Sequence, residues 1–319
     1  MKLAARVVVL DVAPQDLFEC ELGRDYSLPV EWIREGEILP PSGSGDPDSL
    51  RAIRPWVLEQ ADGTLRMWYS GHDGTTWRIL EAVQREGRGW DRVGLAIDAG
   101  FAGDSDGYGV QSPCAVRTPG GYLMCYAGFD GEVTRLHMAA SPDGRDWAPQ
   151  GTFMQRGSED GVGASHPCLV VTGERWWLFF SGYDGSRNGR RAVVLAAVSS
   201  SGASWDRIGT VLEPAGGELA TSHPCVLEIS GTSYMFYGSD DGQRVSIALA
   251  TSTDGVSWER RGTTLAPSGE GPDGLSVDAP CVLRLADGSL RMWYSGLSVG
   301  DTGLAYRVCS ATFPGPQPI

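Results

Sequence analysis

The chain has 319 residues, 41% of them hydrophobic, and a formal net charge of −14 at pH 7. This composition can bury a sizeable core, while the surplus of acid argues against nucleic acid and anionic membranes as partners, because both would repel the protein. No apolar run approaches the length of a membrane span. The apolar stretch near the N-terminus is short and interrupted by Arg6, so a signal peptide is not expected.

The sequence repeats five times with a period of about 56 residues. Each copy starts at a proline: Pro55, Pro113, Pro167, Pro224 and Pro280. Each then has an apolar segment ending in an aromatic residue and a small one: 67–71, 124–128, 178–182, 235–238 and 292–296. A period of this size, made of short strands and turns, predicts a ring of like units rather than one continuous core.

The unit that starts at Pro224 shows the predicted strands most clearly. Three strands are expected at 225–229, 234–237 and 245–251, and a fourth follows Trp258. Tight Gly/Asp turns separate them, which is typical of a four-stranded antiparallel propeller blade. In the repeats, glycine and an apolar residue follow this tryptophan at four and seven positions.

The fifth unit lacks a fourth strand. The spacing typical of that strand, a tryptophan followed by glycine at four and an apolar residue at seven positions, occurs instead at Trp32, Gly36 and Leu39. We therefore expect residues 32–40 to pair with the last unit and close the ring, which removes an open sheet edge. The predicted fold is all-β: a five-bladed β-propeller with four-stranded antiparallel blades. It forms a single domain over 1–319, with an N-terminal extension (1–31, including a possible strand at 6–12), propeller repeats (32–313) and a tail (314–319).

Seven cysteines are present, and four occupy the same slot after the proline: Cys114, Cys168, Cys225 and Cys281. Equivalent slots in separate units are not expected to lie within disulfide distance. Reduced thiols and a cytoplasmic location are therefore predicted.

The first strand of each propeller blade lines the central channel. The proline is expected at the first residue of that strand, and the residue before it in an extended conformation that directs its side chain. Those residues are Arg54, Ser112, His166, His223 and Ala279, and the residues ahead of them are Ile53, Gln111, Ser165, Ser222 and Asp278.

The loops after the second strand are expected on the same face, with His72-Asp73, Asp130, Asp184, 240–241 and Asp301. Long acidic loops between the units also end there, with Asp46, Asp48, Asp104, Asp106, Glu159, Asp160, Glu218 and Asp273. Long polar loops on one face of a rigid scaffold usually carry function. The Asp-Gly turns at 143–144 and 254–255, the repeated tryptophans and the Pro-Cys thiols are expected to be structural.

Two of the four histidines, His166 and His223, occupy the same slot of adjacent units, each within a Ser-His-Pro-Cys sequence. An imidazole can take or give a proton near neutral pH, so both are candidates for acid/base chemistry. The alternative is a pair of hydrogen-bonded structural histidines copied by the repeat.

The five units, the Pro-Cys strand starts, the Met-Trp-Tyr-Ser-Gly strand ends and the Ser-x-Asp-Gly-x-x-Trp turns resemble the five-bladed glycosidase propellers over residues 32–313. These are the arabinanase and β-xylosidase, invertase and levansucrase, and β-mannoside phosphorylase enzymes. The resemblance implies carboxylates around the central funnel. At the positions where the arabinanase-like enzymes commonly carry three of these acids, this chain has Arg54, Ser112 and Ser165.

The first hypothesis is therefore an enzyme of glycosidase-propeller descent that acts on a sugar or sugar-like small molecule. His166 and His223 would transfer protons, Asp278 would orient one of them, and Arg54 would anchor a carboxylate, a phosphate or hydroxyl groups. The remaining predicted binding residues are Gln111, Ser112, Ser165, Ser222, His72, Asp73, Asp130 and Asp184. No cofactor is predicted.

Three alternatives remain open. Hydrolysis or phosphorolysis could use loop carboxylates displaced from the usual positions, with the histidines only binding hydroxyls or phosphate. The chain could instead be a non-catalytic module that binds a glycan or a protein. Finally, His166, His223 and Asp278 could hold a divalent metal ion.

Overall fold

The computed structural model describes residues 31–85, 89–172, 175–185, 191–285, 288–300 and 303–313. The predicted strand at 6–12, the tail at 314–319 and the loop residue Asp301 lie outside the described residues.

Strands dominate the described chain. In order they are β1 (Ile33–Leu39), β2 (Arg51–Glu59), β3 (Leu65–His72), β4 (Trp77–Gln84), β5 (Trp90–Ile97), β6 (Gly109–Thr118), β7 (Gly121–Phe129), β8 (Thr134–Ser141), β9 (Ala148–Thr152), β10 (Gly163–Thr172), β11 (Arg175–Tyr183), β12 (Ala192–Ser199), β13 (Asp206–Leu212), β14 (Ala220–Ile229), β15 (Thr232–Asp240), β16 (Val245–Ser252), β17 (Glu259–Leu265), β18 (Ser276–Arg284), β19 (Leu290–Gly300) and β20 (Gly303–Phe313). Short 3₁₀ helices occur at Ser158–Asp160 and Gly271–Asp273. No helix in the described ranges is both long and apolar enough to cross a membrane.

Successive strands pair antiparallel in groups of four, which we number as sets. Set 1 is β2–β5, set 2 is β6–β9, set 3 is β10–β13 and set 4 is β14–β17. Set 5 is β18–β20 together with β1. The all-β prediction is confirmed, and the strands fit the four-stranded unit expected from the repeat.

The first strands of the sets contact one another in the cyclic order β2, β6, β10, β14, β18 and back to β2. The hydrophobic core follows the same cycle. It forms five clusters, each shared by two neighbouring sets, such as Trp68 of set 1 with Met124 of set 2, and Trp293 of set 5 with Met67 of set 1. Burial is thus concentrated between like units, as the repeat predicted.

Strand β1 supplies the outer strand of set 5, as predicted for residues 32–40. It pairs antiparallel with β20, from Ile33 opposite Thr312 to Leu39 opposite Val308. The carboxylate of Glu35 accepts hydrogen bonds from the hydroxyls of Ser310 at 2.6 Å and Thr312 at 2.8 Å. An N-terminal segment therefore covers the edge of the last strand.

Four buried cysteines link each set to the next. The Sγ atoms of Cys114, Cys168, Cys225 and Cys281 each accept a hydrogen bond from a backbone N–H in the following set, at 3.1–3.3 Å. The six described cysteines are buried and form no disulfide, as predicted. In set 1 the cysteine slot holds Trp56, whose indole N–H donates to the carbonyl of Ala115 at 2.7 Å.

Trp56 packs against all five hydrophobic clusters. A side chain that contacts every interface of a cyclic array lies at its axis. The indole therefore fills the centre of the molecule at the level of the cysteine slots, because an aromatic side chain buries far more surface than a thiol.

The Asp-Gly turns have the structural role that was expected. The carboxylate of Asp143 accepts hydrogen bonds from the backbone N–H groups of Arg145 and Asp146, and Asp254 does the same in set 4. The indole of Trp147 donates to the carbonyl of Gly144 at 3.0 Å. These residues stabilise the turn between the third and fourth strands.

Candidate functional site

The residue before each repeat proline has a left-handed backbone. The φ angles are 55° for Arg54, 55° for Ser112, 51° for His166, 55° for His223 and 49° for Ala279. The extended conformation predicted for these residues is therefore wrong. In each set the first strand has a register shift around the residue and its proline. This β-bulge requires the unusual φ, which costs roughly 1–3 kcal/mol per residue.

The position of the proline also differs from the prediction. Pro55 lies in the middle of β2 (Arg51–Glu59), and the other four prolines lie similarly within their strands. Proline has no N–H to donate, and a bulge leaves one residue out of the ladder, so the bulge accommodates it.

Neighbouring sets hold the bulges in place through serine. The backbone N–H of Ser112 donates to Ser70 Oγ at 2.8 Å, and that of His223 donates to Ser181 Oγ at 2.9 Å. The backbone N–H of Arg54 likewise donates to Ser295 Oγ at 2.9 Å. Each serine is in the second strand of the preceding set, so contact between neighbouring sets positions these side chains.

Sets 2 and 4 lack this serine: set 2 has Ala127 at the equivalent position, and in set 4 Asp278 takes its place. The equivalent residue is Gly238, and a Cβ atom there would lie 2.3 Å from Asp278 Oδ1. Asp278 Oδ1 accepts the hydrogen bond from the N–H of Ala279 at 2.8 Å. A glycine in one set thus makes room for a carboxylate from the next.

The five bulges surround a single cavity. It has a volume of about 300 Å³, including its open mouth, and it is lined by Arg54, Ser112, His166, His223, Ala279, the five repeat prolines and Trp56. The residues before the prolines converge as the sequence predicted, although with a different backbone.

The two histidines are in direct contact within this cavity. Their ring centroids are 3.5 Å apart, with an angle of 53° between the ring planes. Ser165 Oγ lies 2.5 Å from His166 Nδ1, and Ser222 Oγ lies 2.7 Å from His223 Nδ1. Each serine predicted for the site therefore orients the histidine that follows it.

His166 has a free nitrogen. Ser165 donates its hydroxyl proton to Tyr183 Oη at 3.3 Å, so its oxygen accepts the Nδ1–H of His166. This tautomer leaves a lone pair on Nε2, which is buried and has no hydrogen-bond partner among the described residues. Such an atom normally binds a ligand or water, because an unsatisfied buried polar atom is costly.

Asp278 reaches the second histidine. Its Oδ1 lies 3.1 Å from His223 Nδ1, and its side chain is 25% exposed. Serine and aspartate meet the same ring nitrogen, so this is not the arrangement of a Ser-His-Asp triad, in which the two partners bind opposite nitrogens. The contact instead allows a proton to move between Asp278 and His223.

Burial determines the charges in the cavity. It holds the pKa of His166 well below 6.5, and the neighbouring His223 and Arg54 lower it further. Burial and then Arg54 lower the pKa of His223 in the same way. Burial raises the pKa of Asp278 to about 7, against the opposing effects of the Ala279 N–H and Arg54. At neutral pH the site therefore combines neutral imidazoles with a carboxyl group that readily holds a proton.

Arg54 places a cation in the same cavity. The guanidinium of Arg54 donates to Gln111 Oε1 and lies 5.2 Å from the ring centroid of Trp77. Ser112 Oγ is buried without a hydrogen-bond partner among the described residues. The structure thus brings Arg54, Gln111 and Ser112 together as predicted.

Tyr183 belongs to the site, although the sequence analysis did not select it. Its hydroxyl contacts Ser165, and burial raises its pKa. The residue precedes Asp184 at the end of its strand, where the other repeats have His72, Phe129, Asp240 and Leu297. The tyrosine hydroxyl at this variable position is the feature of the sequence that could have identified Tyr183 as a site residue.

Seven predicted binding residues are absent from the cavity lining. Gln111, Ser165 and Ser222 each contact a residue that lines it, whereas His72, Asp73, Asp130 and Asp184 have partners elsewhere. Asp73 and Asp130 accept hydrogen bonds within their own turns and pair with Arg78 and Arg135, respectively. Asp184 pairs with Arg191. His72 Nδ1 accepts the N–H of Gly74, and its ring packs on Trp77. The turn-forming role of aspartate explains their position.

The acids of the loops between sets have structural partners. Asp48, Glu218 and Asp273 accept hydrogen bonds from the tyrosine hydroxyls of their own sets and pair with Arg92, Arg260 and Arg34. Asp106 binds Tyr126, and Asp160 pairs with Arg207. Glu159 accepts the hydroxyl and backbone N–H of Thr210. None of these acids lines the cavity.

Metal binding receives no support from the geometry. Within the described ranges, no three His, Cys, Asp or Glu residues are grouped in a way that could hold a metal ion. His166, His223 and Asp278 are close in space, but His223 Nδ1 already faces Ser222 and Asp278.

Comparison with known proteins gives two sequence relatives and several structural neighbours. No protein-family model matches the chain. Two uncharacterized proteins of Mycobacterium tuberculosis strains are 27% and 26% identical to it over 300 residues, which cover 88% of this chain and 99% of each relative.

Among solved structures, a glycoside hydrolase superposes with a TM-score of 0.73 at 16% identity, covering 90% of this chain and 93% of the other. A thermostable family-43 glycoside hydrolase gives 0.63 at 15% identity, covering 84% and 95%. A structure from the GH130 family of mannoside phosphorylases, which contains glycoside hydrolases that target β-1,2 mannosidic linkages, gives 0.69 at 15% identity, covering 90% and 95%. The chain therefore has the fold of the glycosidase propellers.

Proposed function

We propose that the five sets are the blades of a closed five-bladed propeller that forms one domain over residues 32–313. The cyclic contact of the first strands, the five clusters between neighbouring sets and the pairing of β1 with β20 support it. The free buried cysteines favour a reducing, cytoplasmic location.

We propose further that the chain is an enzyme that acts on a sugar or sugar-like small molecule by acid/base chemistry in the central cavity. One observation carries this proposal: the Nε2 atom of His166 is buried without a hydrogen-bond partner among the described residues, and His166 lines the cavity in contact with His223, which Asp278 reaches. Perturbed titratable groups that converge in a cleft are typical of active sites.

The geometry suggests a division of roles. His166 acts as the base, because its Nε2 can accept a proton from a bound water or a substrate hydroxyl. Asp278, with a pKa of about 7, stores the proton that the departing oxygen receives, either directly or through His223. Arg54, Gln111 and Ser112 bind the substrate.

This chemistry differs from that of a carboxylate pair. Arg54, Ser112 and Ser165 stand where the resemblance implies acids, and Asp278 is the carboxylate that contacts a cavity histidine. The loop acids are held by tyrosine or arginine, which makes displaced loop carboxylates the weaker candidate.

The test uses thermal shift and product formation with neutral sugars, uronic acids, amino sugars, sugar phosphates and nitrophenyl glycosides. A ligand at a hundred times its Kd adds about 2.7 kcal/mol of stability. We expect His166→Gln to lower turnover by about 10²–10⁴-fold. His137→Gln is the matched control, since His137 is buried but bonds Ser105 outside the cavity.

Full turnover in a His166→Gln/His223→Gln double variant would overturn the assignment. Loss of turnover on Glu218→Gln, with the histidine variants active, would favour the loop carboxylates. A ligand that binds at the histidines and yields no product from any of these compounds would identify a binding module.

A further inference from the structure

Two arginines share one aromatic side chain beside the cavity. The guanidinium carbon of Arg54 lies 5.2 Å from the Trp77 ring centroid, and that of Arg51 lies 5.7 Å from the same centroid. Arg51 also lies 4.7 Å from the ring centroid of Tyr306. Trp77 therefore joins a cavity-lining cation to a second cation three residues earlier on β2.

The sheet brings these side chains together. In the registers of β2, Arg51 is opposite His72 on one side and Tyr306 on the other. His72 in turn is opposite Trp77 in the next strand. The arrangement rests on four strands of two neighbouring sets, so it is part of the scaffold.

Neither guanidinium forms an ion pair with a described carboxylate. Other arginines form ion pairs with loop acids: Arg92 pairs with Asp48, and Arg207 pairs with Asp160. This contrast is informative in a chain with 40 acidic and 26 basic residues. Two half-buried like charges repel each other. Arg51 contacts the rings of Trp77 and Tyr306, and Arg54 contacts the Trp77 ring and the Gln111 amide. The nearby Asp278 carboxyl also favours the charged form of Arg54.

We infer that Arg51 and Arg54 form a subsite for a negatively charged group of the substrate, either the carboxylate of a uronic acid or the phosphate of a sugar phosphate. Guanidinium groups match the oxygens of both anions. The inference rests on the proposed function, because it places the anionic group beside the sugar that the histidines act on. Neutral sugars of the same shape would leave the two cations uncompensated.

The experiment compares matched sugars by calorimetric titration: glucose with glucuronate and glucose 6-phosphate, and galactose with galacturonate. We expect an anionic member to bind at least about tenfold more tightly than its neutral partner, and the preference to weaken with added salt. The two anion types separate the carboxylate from the phosphate source.

Arg51→Met and Arg54→Met keep much of the apolar stem and remove the charge. Arg51→Met is expected to abolish the preference while neutral-sugar affinity stays within about threefold. Arg54→Met should also abolish it, but with weaker binding of neutral sugars as well, because Arg54 lines the cavity. Arg175→Met is the matched control, because Arg175 lies 5.3 Å from the Trp177 ring centroid and does not line the cavity. It should keep the full preference.

Equal affinities for charged and neutral partners, or a preference unchanged in Arg51→Met, would overturn the subsite. Turnover of a neutral sugar that depends on His166 would then leave the proposed function intact. Conversely, an anion preference lost in the arginine variants, with turnover indifferent to His166, would retain the subsite and reject the acid/base site. Absence of binding by all five sugars would count against the subsite.

Discussion

Every set has an acid in the loop before its first strand and a residue before its proline. The chemistry of the side chain is kept at the first position and varies at the second. The loop acid is Asp48, Asp106, Asp160, Glu218 or Asp273, and all but Asp160 accept a tyrosine hydroxyl. The residue before the proline has a nearly constant φ of 49–55°. Its side chain, however, belongs to arginine, serine, histidine, histidine or alanine in the five sets.

The loop acid keeps its chemistry because each copy stabilises the same loop. The position before the proline keeps its backbone and changes its chemistry, because the five copies face one shared cavity. In this molecule a repeated interaction marks the scaffold, whereas different side chains on a repeated backbone mark the candidate site. Stability measurements can separate the two.

The largest effect is expected at a loop acid. Asp273→Asn removes the charge that pairs with Arg34 and accepts the Tyr294 hydroxyl. We expect a loss of about 2–3 kcal/mol in unfolding free energy, moderated by the partial exposure of Arg34. Denaturant titration measures it, with the exposed turn variant Asp62→Asn as control. A loss below about 1 kcal/mol would contradict a structural role.

The next effect concerns Asp278 and depends on pH. Burial raises its pKa to about 7 in the folded state, from an ordinary value of 3.8. The folded chain therefore binds this proton more tightly, and the carboxyl lowers stability as pH rises from about 4 to above 7. Asp278→Asn should be more stable than the parent by about 2 kcal/mol at about pH 8, with the advantage vanishing near pH 4.

Unfolding curves measured from about pH 5 to about pH 8 test this sign. An advantage of Asp278→Asn that grows toward acid would be inconsistent with a raised pKa. The titration of other groups, including His166 and His223, is common to both proteins, so the difference between the two curves reports Asp278 and groups coupled to it.

A smaller effect should appear where one loop acid lacks its tyrosine. Set 3 has Phe180 at this position, and Asp160 Oδ2 is buried without a partner among the described residues. Phe180→Tyr should add a hydroxyl donor and stabilise the protein by about 1 kcal/mol. Phe179→Tyr, one residue away on the other face of β11, should destabilise it. Equal effects of the two substitutions would show that Asp160 does not accept the new hydroxyl.

The smallest effect is expected before the proline. Ser112 Oγ has no partner in the described chain, so Ser112→Ala should change stability by less than about 0.5 kcal/mol. Ser70→Ala should cost about 1 kcal/mol, because Ser70 Oγ accepts the Ser112 N–H. Differential scanning calorimetry of the two variants measures the contrast. A larger loss for Ser112→Ala would make it part of the scaffold.

Much of the architecture could be predicted from spacing. The recurrence of glycine and an apolar residue after each tryptophan located the fourth strands, and Trp32, Gly36 and Leu39 located their missing copy. Strand patterns depend on local alternation and turns, which a repeat shows several times over.

The candidate site was predicted only in part. The sequence pointed to His166, His223, Arg54, Ser112 and Asp278, because equivalent slots of a ring must converge. It did not predict the left-handed bulges, since a residue before proline ordinarily prefers an extended conformation. The sequence could not separate Asp73, Asp130 and Asp184 from the cavity residues, because a position on the same face does not give the distance from the cavity.

The sequence alone determined the repeat, the all-β class and the identity of the residues that face the centre, because these follow from periodicity along the chain. Tertiary structure decided which nitrogen of His166 is free, that Gly238 makes room for Asp278, and that Arg51 joins Arg54 at Trp77. Gly238 and Asp278 belong to neighbouring sets, and the other two contacts join different strands of one set, so their hydrogen bonds and desolvation exist only once the strands have paired and the sets have packed together.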